Sequence, residues 1–422
     1  MTASLREPGL VPAGSVPARP ISPAAPVPSA APLPSAPPVP GTAVALLDAY
    51  GGGTDRFLAT PRQTLLGHGT AAQVPHDERP LPRRVHELLD GLRRPDRPVP
   101  VVLGAVPFAP EAAPALAVPD RLRRSPALAA DPLIALPAPR PADGGDWRVR
   151  EWPAPEGYTA AVAAAVTRMR AGEFDKVVLA RTLELTGPHA PDLPALLNRL
   201  ARRDPGGYTF AVPSGPGRTL VGASPELLVA RLGGRVTANP LAGSAPRSSD
   251  LAEDVRRAAA LLQSPKDLHE HAVVVDAVRE ALAPLCGRLQ VPERPTLVRT
   301  ATMWHLSTTV TGEVAGPSVT ALDLASALHP TPAVCGTPTE VARAVIAESE
   351  PFDRGPYTGM VGWQDADGDG EWVVTIRCAE AEGSTLRLFA GAGVVAESSP
   401  TAETAETAAK FRTFLDAVGA TL

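Results

Sequence analysis

From Trp152 onward the apolar positions fall into clear periods. Tyr158–Ala171 repeats at helical spacing and meets Gly172 where a helix stop is expected. Phe174–Leu185 is β-branched and alternating, which predicts a strand. Tyr208–Val212, Thr219–Gly222, Leu227–Leu232 and Arg235–Thr237 read as further short strands divided by Gly and Pro. The longest helical pattern covers Ser249–Ala283, with a break expected at Ser264-Pro265. Beyond it come a strand at Met303–Val314, helices near Ala321–Leu328 and Thr339–Glu348, and a hairpin of Met360–Gln364 with Trp372–Ala379. Leu386–Val395 predicts another strand and Ala402–Ala417 a final amphipathic helix. Strand runs relieved by single helices predict an α/β protein of the α+β kind, with antiparallel sheets instead of repeated βαβ units.

The part before Trp152 is less regular. Phe57–Thr60, Thr64–Gly67 and Val101–Phe108 resemble strands, and His86–Leu92 fits a short helix. Ala109–Asp146 is rich in proline and is expected to wrap the surface. Proline is the compositional anomaly, with 50 in 422 residues and twelve of them in the first 40. Proline removes backbone donors and favours extended, solvated chain, so residues 1–42 are expected to be a disordered tail ahead of a domain at 43–422. A docking segment for a proline-binding partner is the weaker reading of that tail.

Charge and cysteine content narrow the class. A formal net charge of −5 with no long basic run argues against a nucleic-acid binder. Cys286, Cys335 and Cys378 lie far apart, so neither a disulfide framework nor a thiolate zinc site is indicated. No apolar run approaches the roughly 20 residues of a membrane helix. The N-terminus lacks a secretory pattern. A cytoplasmic protein is the expectation.

Some motifs dissolve on inspection. Asp365-Ala366-Asp367-Gly368-Asp369-Gly370 opens like a calcium loop, but Ile376 stands where the loop needs glutamate, and a hairpin turn is expected. His269 and His271 lie on opposite sides of a helix and cannot grip one metal; each is read as a packing or hydrogen-bonding residue.

Four features resist a purely structural reading. Lys176 sits in an apolar strand, where it either snorkels or faces a cavity as a base. Glu226 begins a strand just after a turn, as an exposed carboxylate or as one aimed into a cleft. Glu270, and Glu403 with Glu406 at i, i+3, are carboxylates without histidine or thiolate partners, which suits a hard cation such as magnesium. The plain alternative is a Glu406–Lys410 pair on one helix. Leu241–Arg247 and Ala390–Gly393 put small residues where peptide N–H groups can approach an anion, and Arg377 offers a carboxylate clasp or a buried ion pair.

These segments resemble the chorismate-utilising enzymes, most closely the isochorismate synthases. The resemblance runs from about residue 45 to 422 through FDKVVLAR (174–181), GASPELLV (222–229), NPLAGSAPR (239–247), KDLHEH (266–271), HPTPAVCGTP (329–338), GEWVVTIRC (370–378), RLFAGAGVV (387–395) and AETAETAAK (402–410). It implies one large domain of two stacked antiparallel sheets with helices outside, as in anthranilate synthase component I. It implies Lys176 as the base activating water for attack at C2 of chorismate, and Glu226 as the acid protonating the departing C4 hydroxyl. Glu270 and Glu406, with Glu403 nearby, would hold magnesium. Gly243, Ser244, His305, Ala333, Arg377, Gly391 and Lys410 would bind substrate.

Lysine at 176 and His329-Pro330-Thr331-Pro332-Ala333 resemble the isochorismate branch more than the amine-adding branch, so no glutaminase subunit is expected, and a monomer is. Salicylate synthases, which go on to eliminate pyruvate, are the main rival; a catalytically idle binding relative is the other. Leu268, Pro356 and Thr358 depart from the common pattern and leave room for altered activity.

Overall fold

The long strand Lys176–Thr186 is buried on both faces because it lies between two layers: Ala180 faces a second sheet, while Leu183 and Leu185 face helices. The structure, a computed structural model, describes residues 42–138 and 147–420. The expected tail therefore lies outside the described residues, except Thr42, which already opens the helix Thr42–Asp48.

Three antiparallel sheets are formed. The first has ten strands; along its path Gly336–Thr337, Lys176–Thr186, Thr385–Val394, Cys378–Glu382, Arg218–Ser224, Tyr208–Gly215, Arg56–Ala59, Gln63–His68 and Arg121–Pro126 are neighbours, with Arg148–Trp152 also on Lys176–Thr186. The second has nine, centred on Arg235–Asn239, Leu227–Leu232, Gly370–Val374, Met360–Asp365 and Val101–Val106. A third, of three strands, joins Leu241–Pro246, Met303–Ser307 and Thr296–Arg299.

The first two sheets stack. Leu58, Phe210 and Leu220 of one pack with Leu103, Val361 and Val373 of the other in a single buried cluster. Helices cover the outer faces: Leu193–Arg203 and Pro400–Val418 on the first sheet, Leu81–Leu92, Pro265–Leu282 and Ala321–Leu328 on the second. This is the expected architecture. The described residues cluster as one compact unit.

The sequence expectations fail mainly where the chain changes sheet. Met303–Val314 is two strands, with Met303–Ser307 in the small sheet and Val310–Val314 in the second. Trp372–Ala379 is likewise split: Gly370–Val374 ends in the second sheet and Cys378–Glu382 begins in the first. The links are short and keep β-branched residues, Thr308-Thr309 in one and Thr375-Ile376 in the other, with no Gly or Pro to mark a break, so the pattern does not reveal the switches. Of Ala109–Asp146, residues 139–146 lie outside the described residues; the rest is less irregular than its prolines suggest, since Ala115–Val118 and Arg121–Pro126 add to the two sheets, with Pro119 in the link and Pro126 at a strand end, where no ladder donor is needed. The break at Ser264-Pro265 is real, and the Ser264 side chain accepts the Asp267 N–H to cap the second helix. The Asp/Gly segment 365–370 is the turn of the Met360–Asp365/Gly370–Val374 hairpin.

Candidate active site

Two neighbouring sheet switches build the floor of a cleft. Arg218–Ser224 and Cys378–Glu382 are partners in the first sheet, and Leu227–Leu232 and Gly370–Val374 are partners in the second. The links between them carry Glu226 and Arg377. Arg377 is thus not within a strand as expected; it sits in a bend at φ +50°, a left-handed conformation uncommon for a non-glycine residue. Thr358, the other non-glycine residue at positive φ among the described residues, also lines the cleft.

The cleft, counted with the open solvent at its mouth, spans about 730 Å³. It brings together Glu226, Gly243, Ser244, Glu270, His305, Ala333, Arg377, Gly391, Glu406 and Lys410. Lys176 and Glu403 stand one layer back, each joined to a lining residue. Lys176 Nζ donates to Glu270 Oε1 at 2.9 Å, and Lys266 Nζ donates to Glu403 Oε1 at 3.0 Å. Lys176 does not snorkel: its side chain is 2% exposed. Lys266, Asp267 and Tyr357 line the cleft without having been singled out in the sequence, and Gly393, the end of the small-residue run 390–393, lines it too. Lys266 and Asp267 carried a signal, since each lies on the helix face of Glu270, at i, i+4 and i, i+3 to it. Leu268 and Pro356 are not lining residues, whereas Thr358 is.

Electrostatics distinguish the two carboxylates that matter most. Burial pushes the Glu226 carboxyl up to about 7, against the Leu241 N–H and the charges of Arg377, Lys176 and Lys410. Its Oε1 accepts the Leu241 N–H at 3.4 Å. Burial also acts to raise Glu406, but the Lys410 ammonium 2.6 Å away, and the Ser244 hydroxyl donating at 3.1 Å, bring it below the ordinary value. The Glu406–Lys410 helix pair therefore exists and also faces the cleft. Lys410 further donates to the Gly391 carbonyl at 2.7 Å.

The neutral and cationic walls suit an anionic ligand. His305 is held well below its usual pKa by burial and by Arg377 and Lys410, and its buried Nε2 has no partner among the described residues. Arg377 makes no salt bridge to any described carboxylate, so the buried-ion-pair reading does not hold for it. Gly243, at φ +76°, brings backbone to the cleft where a Cβ would lie 3.0 Å from the Asp267 side chain. His271, by contrast, is structural: its ring bonds the Ala242 carbonyl at 3.2 Å and the Thr308 hydroxyl at 2.7 Å.

Among the described residues no three His, Cys, Asp or Glu side chains converge on one metal point. The donor chemistry nonetheless fits a hard cation. Asp267 and Glu403 are raised above their ordinary values by burial first and by neighbouring carboxylates second, Glu270 and Glu406 for Asp267 and Glu406 for Glu403. Three lysines neutralise this oxygen-only cluster, through the pairs Lys176–Glu270, Lys266–Glu403 and Lys410–Glu406. Magnesium needs only one or two protein carboxylates, with water and substrate oxygens completing its shell.

A family model for chorismate binding enzymes matches residues 137–419. The chain belongs to that family. Isochorismate synthase DhbC of Bacillus subtilis is 51% identical over 86% of this chain and 93% of its own length. The vibriobactin-specific isochorismate synthase of Vibrio cholerae is 43% identical over 86% of this chain and 91% of its own. A crystal structure of a putative 2,3-dihydroxybenzoate-specific isochorismate synthase from Bacillus anthracis superposes with a TM-score of 0.84 at 47% identity, covering 90% of this chain and all of that one. Within the chorismate-binding family these relatives are isochorismate synthases, as the sequence motifs imply. No helix among the described residues is long and apolar enough to cross a membrane.

Proposed function

We propose that the protein isomerises chorismate to isochorismate, by adding water at C2 and releasing the C4 hydroxyl as water. One observation supports this above the others: a carboxyl group raised to about 7 faces the same cleft as the Lys176–Glu270 pair, between the cations of Arg377 and Lys410. A carboxyl group with that pKa keeps much of its proton near neutrality, which a general acid needs and an ordinary glutamate lacks.

In this reading the Lys176 amine, its ammonium proton first released to solvent, takes a proton from water as that oxygen attacks C2. The ring double bonds shift, the C4–O bond breaks, and Glu226 delivers its proton to the leaving oxygen. Net composition is unchanged. Lys176 ends with one proton more and Glu226 with one fewer, and exchange with solvent restores both. Arg377, Lys410 and the backbone at Gly243 and Gly391 hold the two substrate carboxylates, which fixes the ring between base and acid. Ser244, His305 and Ala333 complete the walls, with His305 Nε2 available to a substrate oxygen. Glu270 and Glu406, with Glu403 behind them, are the residues that would hold magnesium, which would supply positive charge against the ring carboxylate.

The test incubates purified protein with chorismate and magnesium and separates the products. Isochorismate without pyruvate supports the reading. Salicylate with pyruvate moves the enzyme to the eliminating branch, and binding without turnover makes it an idle relative.

A further inference from the structure

The edge of the strand that begins with Lys176 is interrupted. Gly336–Thr337 pairs with Val177 and Lys176, and Arg148–Trp152 pairs with Thr182 onward. Between them the edge groups of Val178 and Ala180 meet no strand among the described residues. The Val178 N–H donates to the Cys335 carbonyl at 2.7 Å. Two more of these groups turn to side chains. Arg354 Nη2 donates to the Val178 carbonyl at 2.7 Å, and the Ala180 N–H donates to Glu350 Oε1 at 2.8 Å. Arg354 and Glu350 are each 3% exposed and pair twice, at 2.8 Å and 2.5 Å.

A buried ion pair is a weak source of stability, since desolvation offsets its attraction. Here the strand edge explains the choice: the carbonyl needs a donor, the N–H needs an acceptor, and an apolar pair would orphan both. The remaining guanidinium arm points to the cleft walls. Nη1 donates to the Val334 carbonyl at 2.9 Å and to the Thr358 hydroxyl at 3.1 Å. Val178, Val334 and Thr358 all line the cleft, but Arg354 and Glu350 do not. Thr358 is held at φ +58°, a conformation a β-branched residue keeps only under restraint from its surroundings.

We propose that Arg354 and Glu350 form a positioning pair for catalysis. It locks the Val178–Ala180 stretch of the Lys176 strand against the Ala333–Val334 and Tyr357–Thr358 walls, and so fixes where the base meets the bound ring. The pair touches no substrate, and the inference rests on the isomerase reading above.

The test compares wild type with Glu350→Gln and Arg354→Lys, each normalised to folded protein by circular dichroism. Glu350→Gln keeps an oxygen for the Ala180 N–H but removes the anchor of the guanidinium; lysine cannot reproduce the planar fork. The expected result is a kcat lower by roughly tenfold or more, with KM for chorismate within about threefold, because misplacement harms the reaction more than binding. Should both variants fail to fold, Thr358→Val, which removes one arm and leaves the ion pair, decides; it is expected to lower kcat by about threefold at constant KM. Folded variants with wild-type kcat, or with raised KM alone, overturn the proposal. Wild type that makes no isochorismate defeats the functional reading instead, a result distinct from active wild type matched by its variants.

Discussion

Lys176 and Glu270 meet at 2.9 Å although they are 94 residues apart, one at the start of the strand Lys176–Thr186 and the other in the second turn of the helix Pro265–Leu282. The amine is 2% exposed and the carboxylate 13%. Leaving either charge there without the other would cost on the order of 3–5 kcal/mol. The pair therefore fixes the amine's direction, and it links the proposed base to the carboxylate cluster proposed for the metal.

Replacing Lys176 tests the base directly. Lys176→Ala is expected to lower isochorismate formation by about 10²–10⁴-fold. Lys176→Arg keeps the charge but has no proton to exchange near neutrality, so it should be nearly as inactive. Product chromatography on folded protein makes the measurement. An arginine variant of nearly wild-type rate would mean that the position supplies charge only.

Glu226 makes two predictions about pH, with signs set by its raised pKa. As an acid it must carry its proton, so kcat/KM should fall as pH rises through about 7, and Glu226→Gln should be slow at every pH without that limb. The stability effect follows from linkage. The folded value lies above the ordinary 4.5, so this group's contribution is fully present below about 4.5 and is lost as pH rises through about 7. Glu226→Gln should accordingly gain on wild type between pH 5 and 8 by up to about 3 kcal/mol. Denaturation midpoints at those two pH values measure it; equal differences at both would contradict a buried, proton-bearing Glu226.

The proposed catalytic residues were legible because their chemistry conflicts with their surroundings. A lysine in the run Phe174–Leu185 and a glutamate after Ser224-Pro225 stand out against apolar neighbours, and the acidic spacing at 403 and 406 stands out on an amphipathic helix. The supporting shell was not legible. Tyr357 lines the cleft and stacks on Phe389 with ring centroids 4.9 Å apart, yet in sequence it is one aromatic among turn residues. Arg354 satisfies carbonyls 20 and 176 residues away, and such pairings leave no local periodicity. Where the chain passes from one sheet to another, at Thr308-Thr309 and at Thr375–Arg377, the link is short and holds no Gly or Pro, so nothing local marks the switch that places Arg377.

The carboxylate cluster carries a prediction on metal dependence. Glu406→Gln removes one proposed ligand and frees Lys410; Glu403→Gln removes a neighbour and frees Lys266. Both should raise the magnesium concentration for half-maximal turnover, Glu406→Gln by roughly tenfold or more and Glu403→Gln by less. A chelator should abolish wild-type turnover, and added magnesium should restore it. Magnesium titrations of activity, alongside calorimetric binding of the ion, separate loss of metal from loss of chemistry. Unchanged magnesium dependence in Glu406→Gln would remove it from the ligand set.

Gly393 gives the most local test of the base and its partner. It pairs with Val178 in the first sheet, and its missing side chain leaves the room that Lys176 and Glu270 occupy. A Cβ there would lie 2.5 Å from Glu270 Oε1 and 3.2 Å from Lys176 Cε. Both atoms belong to long side chains that can swing aside, so Gly393→Ala should fold, with the strand intact. The 2.9 Å contact, however, could not keep its geometry. Isochorismate formation is therefore expected to fall by roughly a hundredfold while the thermal midpoint shifts little, since an ångström of misplacement can remove that much rate. An alanine variant with wild-type turnover would show that the Lys176–Glu270 contact is not needed for the reaction.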